Sequence, residues 1–244
     1  MNFYPIFWKD MLLITKRPGK FLAASMVTPL LYLVTFGWGL GRGMTMSGGG
    51  TYLDFVLPGL LALSAMNNSF GPVSTTVNVS KLYTKTIEEI LVSPISPWAI
   101  ALGRALTGTV RGMFSACLLM IVGLISGVHM DLSPAFVLVL ALTAFCFASG
   151  AVAAAMVAKS HEDMSNFNSF FIVPMSFLAG TFFSPDRLPQ PFEGLIMVYP
   201  LTHASLVLRE MAAGSAPAIG SVLILAAYTV LFFYLAGKLV ERRA

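Results

Sequence analysis

The sequence predicts an all-α integral membrane protein with six transmembrane helices. Three observations predict this class: 57% of the 244 residues are hydrophobic, only 11% are charged, and the mean hydropathy is +0.80. A soluble domain has about a quarter charged residues, so the composition excludes an ordinary globular or disordered protein. The basic residues are scattered and do not alternate with aromatic residues, which disfavours nucleic-acid binding.

Six long segments that are almost free of charge locate the predicted membrane spans. A helix needs about 20 apolar residues to cross the hydrocarbon core. The third segment reaches this length if Arg111 extends its head group back to the membrane interface. The whole chain is therefore expected to form one transmembrane domain, 1–244. The predicted spans are 21–40, 55–80, 106–128, 134–158, 164–183 and 217–238.

The distribution of Lys and Arg predicts the orientation, because cytoplasmic loops of membrane proteins are enriched in both. With the N-terminus inside, 11 basic residues fall on cytoplasmic segments and Arg111 falls within a helix. The outer segments then hold only three basic residues, which are Arg42, Arg187 and Arg209. Both termini are therefore expected to be cytoplasmic.

Residues 2–17 are predicted to form an amphipathic helix that lies on the inner leaflet. Phe3, Phe7 and Trp8 are among the apolar residues of its membrane face, and Lys9 lies on the opposite face. The alternative is a cytoplasmic extension of the first span, which the pair Pro18-Gly19 disfavours.

The cytoplasmic loop after span two is predicted to fold as a helix, a turn and a second helix. Thr86 can cap the first helix, Ser93-Pro94 ends it, and Ser96-Pro97 opens the second. A solvated connector is one interpretation of this loop. Its apolar residues stand among charged ones, however, which favours a docking surface for a soluble partner. These apolar residues are Ile87, Ile90 and Leu91.

The outer segment before span six contains two apolar stretches, 192–199 and 201–208, on either side of Pro200. Each stretch is too short to cross a bilayer. Two short re-entrant helices that enter the membrane part way from outside account for the pattern better than an exposed loop does.

The second span carries a polar face. Its polar and small residues follow a spacing of three and four, which places them on one side of a helix. Because polar side chains facing lipid are costly, this face contacts either another helix or a water-filled cavity. The pair Gly71-Pro72 frees backbone carbonyls there and favours the cavity. We therefore expect a translocation path lined by Ser64, Asn67, Gly71, Ser74 and Asn78.

Motifs for catalysis or for an independent energy supply are absent from the sequence. It contains no GxxxxGK[ST] nucleotide-binding loop, no HExxH and no GxSxG. Arg111 is the only charged residue well within the predicted spans, so no carboxylate relay for proton-driven transport is visible. The chain is therefore expected to be a transport subunit rather than an enzyme, with no metal or cofactor of its own.

Three stretches of the sequence, YLDFVLPGLLALSAMNNSF, KTIEEILVSPIS and GRALTGTVRG, resemble the permease subunits of ABC-2 type exporters. The likeness covers nearly the whole chain and is greatest to the bacterial branch of nodulation-factor and drug exporters. It implies a multi-pass protein of the bacterial inner membrane. It also implies a separate ATPase subunit that binds ATP and Mg²⁺, and an assembly of two permease chains with two ATPase chains.

The resemblance further implies where the ATPase docks. The helix after span two would lie in a groove of the ATPase and contact it through Thr86, Ile87, Glu88, Glu89, Ile90, Leu91, Ser93 and Pro94. A second, smaller contact would be the inner loop, for which a solvated turn is the alternative interpretation. This loop consists of Lys159, Ser160, His161, Glu162 and Asp163.

The expected function is therefore that of a permease for an ATP-driven exporter in membrane lipid. Its substrate would be an amphiphile that moves from the cytoplasmic side outward: a lipid-linked glycan, a lipid or a drug. The alternative is a self-sufficient secondary carrier or channel, which would be expected to bury charge in several spans. A membrane-embedded enzyme is a third possibility, but no catalytic set of residues supports it.

Overall fold

The computed structural model describes residues 3–16, 18–40, 52–93, 95–183 and 189–243, and over these ranges the chain is helical without any strand. We number the α-helices in chain order. They are α1 (Tyr4–Thr15), α2 (Pro18–Tyr32), α3 (Tyr52–Leu82), α4 (Thr86–Val92), α5 (Pro97–Ile125), α6 (Pro134–Val157), α7 (His161–Phe167), α8 (Val173–Leu178), α9 (Gln190–Ile196), α10 (Pro200–Ala212) and α11 (Ile219–Glu241).

Two π-helical segments extend these elements. Leu33–Leu40 continues α2 and Asn168–Ile172 joins α7 to α8, so that 18–40 and 161–178 are each continuous helical stretches. The predicted outer loop between the first two spans, 41–50, lies outside the described residues.

Three of the described helices, α5, α6 and α11, are long and apolar enough to cross a membrane. The all-α membrane class predicted from composition is therefore confirmed. At 31 residues α3 is longer than any of the three, but its asparagines and serines make it more polar. Part of this polar surface of α3 lines a cavity.

Helix α5 begins nine residues before the predicted third span, because Pro97 occupies its first turn behind an extended Ser96. The helix has 29 residues, and Arg111 stands at its midpoint. At about 1.5 Å per residue, Arg111 lies about 21 Å from either end. Arg111 is therefore a mid-helix residue, not a residue near the start of a short span.

The core of the molecule forms around α3, which packs against α5, α6 and α10, while α6 also packs against α11. Large side chains that are fully buried, such as Leu61, Met66 and Phe147, fill this region. Two glycines allow α5 to approach its neighbours closely. A Cβ atom at Gly108 would lie 2.6 Å from the Cβ of Ala148, and one at Gly112 would lie 2.6 Å from the carbonyl oxygen of Ala65.

Helix α1 is separate from α2, as predicted, and packs against α5. Among its described side chains, Ile6 and Asp10 are buried, whereas Tyr4 and Trp8 are more than half exposed and stack on each other. The sequence predicts one membrane face that includes Phe7 and Trp8. In the structure, α1 also has a side directed at the protein. That side carries a carboxylate.

Candidate functional site

A polar cavity of about 660 Å³ lies beside the middle of α3. Residues of α2, α3, α5 and the 168–178 stretch contribute to its wall, which mixes amides and hydroxyls with apolar side chains. The lining residues are Pro29, Leu60, Leu63, Ser64, Asn67, Asn68, Gly71, Pro72, Thr75, Thr76, Arg111, Asn168, Ile172, Val173, Ser176 and Phe177.

Three of the five residues predicted to line a path, Ser64, Asn67 and Gly71, lie on this cavity. The structure does not bring the other two there. Ser74 is buried and donates a hydrogen bond to the carbonyl of Gly71 at 2.9 Å. Asn78 is fully buried and its amide donates to the carbonyl of Ser160 at 3.4 Å. Ser74 therefore bonds within α3, whereas Asn78 joins α3 to the inner loop.

Ser64 combines the two roles that the sequence left open. The hydroxyl of Ser115 donates to the carbonyl of Ser25 at 2.9 Å. Its single proton is then used, so the hydroxyl of Ser64, 2.9 Å away, donates to Ser115. This chain of hydrogen bonds joins α2, α3 and α5 at the cavity wall. Ser64 therefore lines the cavity and also holds its wall together.

Sequence reasoning missed several lining residues, notably Arg111, Asn68 and Asn168. The helix spacing could have predicted Asn68, because positions 64, 68, 71 and 75 share a face with position 67. Pro72 has no N–H to donate to the carbonyl of Asn68, which increases the polarity of this part of the wall. Asn168 and Arg111 come from other helices, and only the tertiary structure brings them to the cavity.

A buried ion pair stands next to the polar cavity. Nη1 of Arg104 donates to both carboxylate oxygens of Asp10, at 3.0 and 2.8 Å, and the side chains are only 4% and 8% exposed. This pair and Arg111 together border a small space of about 40 Å³. The pair joins α1 to α5, and no local sequence pattern indicates it because 94 positions separate the partners.

Helix α4 occupies the predicted docking loop after α3. The predicted cap at Thr86 is wrong: Lys85 precedes the helix in a left-handed conformation, with φ at 52°, and the Thr86 hydroxyl donates to that of Thr84. At the other end, the hydroxyl of Ser93 donates to the carbonyl of Ile90.

The apolar side of α4 is directed mainly at the protein itself. Ile87 is 4% exposed, and Ile90 is half-buried against the core. Glu89 is exposed. The side chains of Glu88 and Leu91, and the whole of Pro94, lie outside what the structure describes. Ile87 therefore belongs to the buried core, and α4 packs against α3.

The inner loop predicted as a second contact forms the start of α7. The backbone N–H of Asp163 donates to the hydroxyl of Ser160 at 2.9 Å, and the N–H of Lys159 donates to the Asp163 carboxylate at 2.8 Å. The bond from Lys159 is the main reason that the pKa of Asp163 lies below its ordinary value, and the Ser160 hydroxyl adds to it. His161 and Glu162 are exposed.

The C-terminal end of α3 connects α4 to this inner loop. Besides the bond from Asn78 to Ser160, the ammonium of Lys81 donates to the carbonyls of Ala155 and Met156 at 3.0 and 2.8 Å, and also to that of Ala158. A lysine in this position caps the C-terminus of α6. The two predicted ATPase contacts therefore flank one rigid junction.

A short turn, which we call the hairpin turn, joins α9 to α10, and α10 packs against α11. The hydroxyl of Tyr228 donates to the carbonyl of Val198 in the hairpin turn at 2.7 Å. Tyr228 is nine residues beyond the start of α11, so the turn lies about 13 Å along that helix. At the opposite end of α10, the N–H of Asp131 donates to the carbonyl of Ala212 at 3.0 Å.

Arg209 fixes the other side of α10. Its Nε donates to the carbonyl of Phe55 at 3.0 Å, and Nη2 donates to the carbonyls of Gly180 and Thr181 at 3.0 and 3.2 Å. The guanidinium also lies 3.8 Å above the ring of Phe55. From the distribution of Lys and Arg, Arg209 is predicted to be a charged residue of an outer segment. Its place in the fold is a clamp between α10, the start of α3 and the end of α8.

A second cavity, which we call the apolar cavity, has a volume of about 940 Å³. Aromatic and small residues of α6, α11 and the 161–178 stretch line most of it, including Phe167, Phe171 and Phe232. Lys159 and Asp163 stand at one end. Apart from these two, its described lining carries no charge.

Comparisons with known proteins agree with the sequence resemblance. The chain is 28% identical over 224 residues to the inner membrane transport permease YadH of Escherichia coli (strain K12), which covers 91% of this chain and 87% of that protein. It is 29% identical over 226 residues to nodulation protein J of Rhizobium meliloti (strain 1021), with 91% and 86% coverage.

Nodulation protein J of Neorhizobium galegae is 28% identical over 256 residues, which cover 100% of this chain and 94% of that protein. The sequence profile of the ABC-2 type transporter family matches residues 1–213, which include the polar cavity, α4, α9 and α10. The chain therefore belongs to the ABC-2 type transporter family, as one of its permeases.

Proposed function

We propose that this chain is the membrane-spanning subunit of an ATP-driven exporter and that the polar cavity is part of its translocation path. The observation that carries the proposal is the polar side of α3, which borders a cavity of about 660 Å³. The family membership supports a transport role. The substrate would be an amphiphile such as a lipid-linked glycan, a lipid or a drug, moved from the cytoplasmic side outward.

The proposal includes six membrane crossings with both termini in the cytoplasm of a bacterium. The crossings would be the six spans predicted from the sequence, 21–40, 55–80, 106–128, 134–158, 164–183 and 217–238. Helices α9 and α10 would be re-entrant from the outer side, which the depth of the hairpin turn beside Tyr228 supports. The relatives named as an inner membrane permease support the location in the inner membrane.

A separate ATPase subunit would supply the energy and would bind the ATP and Mg²⁺. We propose two copies of it, together with two permease chains. The polar side of α4 and the inner loop 159–163 would be the contacts, and their support is the junction of Asn78 and Lys81 that links them. Force applied at either contact would reach α3, and therefore the cavity wall, through this junction.

ATPase stimulation tests this proposal. The permease and its partner ATPase would be purified together, reconstituted in lipid nanodiscs, and assayed for ATP hydrolysis against a panel of lipids, glycolipids and amphiphilic drugs. We expect at least one class of amphiphile to raise the ATPase rate. Purification without any ATPase, combined with transport that an ion gradient alone drives, would refute the proposal and favour a secondary carrier.

A further inference from the structure

Arg111 is the one charged side chain on the wall of the polar cavity, among the residues that the structure describes. It stands at the midpoint of α5, about 21 Å from either end of the helix. A charged residue inside an apolar helix that is long enough to cross a membrane is costly to maintain, and such residues mark pathways for ions or substrates. Its position therefore requires a functional explanation.

The other arginine of α5 has a different surrounding. Arg104 lies two turns nearer the start of the helix and holds both carboxylate oxygens of Asp10 at hydrogen-bonding distance. This pair is buried beside the small space of about 40 Å³. Arg111 borders that space too, but it also borders the larger polar cavity, where Arg104 and Asp10 do not reach.

The surroundings of Arg111 combine two kinds of surface. Asn67, Asn68 and Asn168 add amide groups, which can donate hydrogen bonds to an anion already held by a guanidinium. Leu63 and Phe177 add apolar area suited to a hydrocarbon chain. A guanidinium with amide donors matches phosphate, sulfate and carboxylate groups, which accept paired N–H bonds.

We infer that the polar cavity recognises an amphiphile with an anionic head group, a phosphate, sulfate or carboxylate, through Arg111. The hydrocarbon part of the same molecule lies against the apolar side of the cavity. This inference rests on the proposed function, because it names the substrate class of the proposed path. The inference restricts the proposed substrate from any amphiphile to one with an anionic head group.

A binding measurement tests the inference without the ATPase. The purified full-length chain in phosphatidylcholine nanodiscs would be titrated with two fluorescent probes of the same acyl chain, lysophosphatidic acid and monoacylglycerol, which differ only in the phosphate. We expect the wild type to bind the phosphate probe about tenfold more tightly. Arg111→Gln would remove that difference and leave the affinity for monoacylglycerol unchanged, whereas Arg111→Lys would retain part of it.

Lys159→Gln is the matched control, because Lys159 is a cation on the wall of the apolar cavity instead. If Lys159→Gln removes the preference, the anion binds there and the inference is wrong. Equal wild-type affinities for the two probes, or a preference that survives Arg111→Gln, would also overturn it. Glycerol 3-phosphate should not displace the phosphate probe at concentrations where unlabelled lysophosphatidic acid does; equal displacement would mean that a free phosphate is the ligand.

Wild-type cross-linking keeps the inference testable if Arg111→Gln does not fold, which thermal unfolding would reveal. A diazirine analogue of lysophosphatidic acid should label peptides that contain Asn67 or Arg111. Labelling confined to the peptide around Lys159 would overturn the inference. Failure of these binding tests leaves ATP-driven export of uncharged amphiphiles intact. The proposed function fails separately, if no amphiphile stimulates the ATPase.

Discussion

At the scale of single residues, Asp10 and Arg104 form a buried ion pair between α1 and α5. Both partners are almost fully buried, and a charge left alone in such a place retains the cost of its desolvation. The exposed pair Lys238–Glu241 on α11 provides a contrast, because both of its side chains are 47% exposed and water screens their attraction.

Asp10→Ala is expected to lower the free energy of unfolding by about 3–5 kcal/mol, because Arg104 would remain buried without its carboxylate. Glu241→Ala, the matched control, should change it by less than about 1 kcal/mol. Chemical unfolding in detergent measures both values. Equal, small effects of the two substitutions would show that the buried pair contributes little to holding α1 on α5.

Two asparagines of α3 have different surroundings: Asn67 lines the polar cavity, whereas Asn78 is buried and bonds to Ser160. Asn67→Leu is expected to reduce substrate-stimulated ATP hydrolysis severalfold, since it removes an amide from the proposed path, while the complex stays assembled. Asn78→Leu should instead lower the thermal stability, because it removes the bond to Ser160 from a fully buried position. If Asn67→Leu leaves stimulation unchanged, the path must be sought on another helix.

At the scale of elements, the sequence predicted the positions of the helices better than their contacts. Long apolar stretches mark helices such as α6 and α11 because lipid requires continuous apolar side chains. The helix starts at Pro97 and Pro200 were also visible locally, because proline favours the first turn of a helix. The burial of Ile87 in α4, which packs on α3, could not be predicted, because it depends on tertiary packing that no local pattern encodes. Lys81 could not be placed on the end of α6 for the same reason.

The coupling role proposed for α4 predicts an effect of reversing its charge. Replacing Glu88 and Glu89 with Lys should uncouple ATP hydrolysis from transport, because the new charges would repel a basic rim of the ATPase groove. Membrane insertion should survive, since Glu89 is exposed. Glu241→Lys, at another exposed acidic position, serves as the control. Normal transport with normal ATPase stimulation in the double variant would contradict the role of α4.

The re-entrant placement proposed for α9 and α10 predicts a pattern of thiol accessibility. In a chain with Cys117 and Cys146 replaced by Ala, Leu195→Cys on α9 should resist a membrane-impermeant thiol reagent, although its side chain is 53% exposed in the isolated chain. Ser215→Cys in the exposed turn after α10 should react quickly. Asp186→Cys, outside the described residues, is expected to react as well. Equal, fast labelling of all three would indicate an exposed loop instead.

At the scale of the whole molecule, the permease contains a cavity and two proposed docking contacts but no nucleotide-binding motif. The end of α3 physically joins these parts. Asn78 and Lys81 bond to the segment that leads into the inner loop, and the same helix lines the cavity between Leu60 and Thr76. This continuity explains how hydrolysis on a separate subunit would alter the path. The sequence indicated the parts, and the structure supplied their connection.

The measurement that tests the central claim most directly is vectorial transport in proteoliposomes. The permease would be reconstituted with its partner ATPase, and the movement of a fluorescent lysophosphatidic acid would be followed across the bilayer on addition of ATP and Mg²⁺. We predict transport that requires ATP hydrolysis and stops when the catalytic site of the ATPase is inactivated. Transport at an unchanged rate with the inactive ATPase, or driven by an ion gradient alone, would contradict the account.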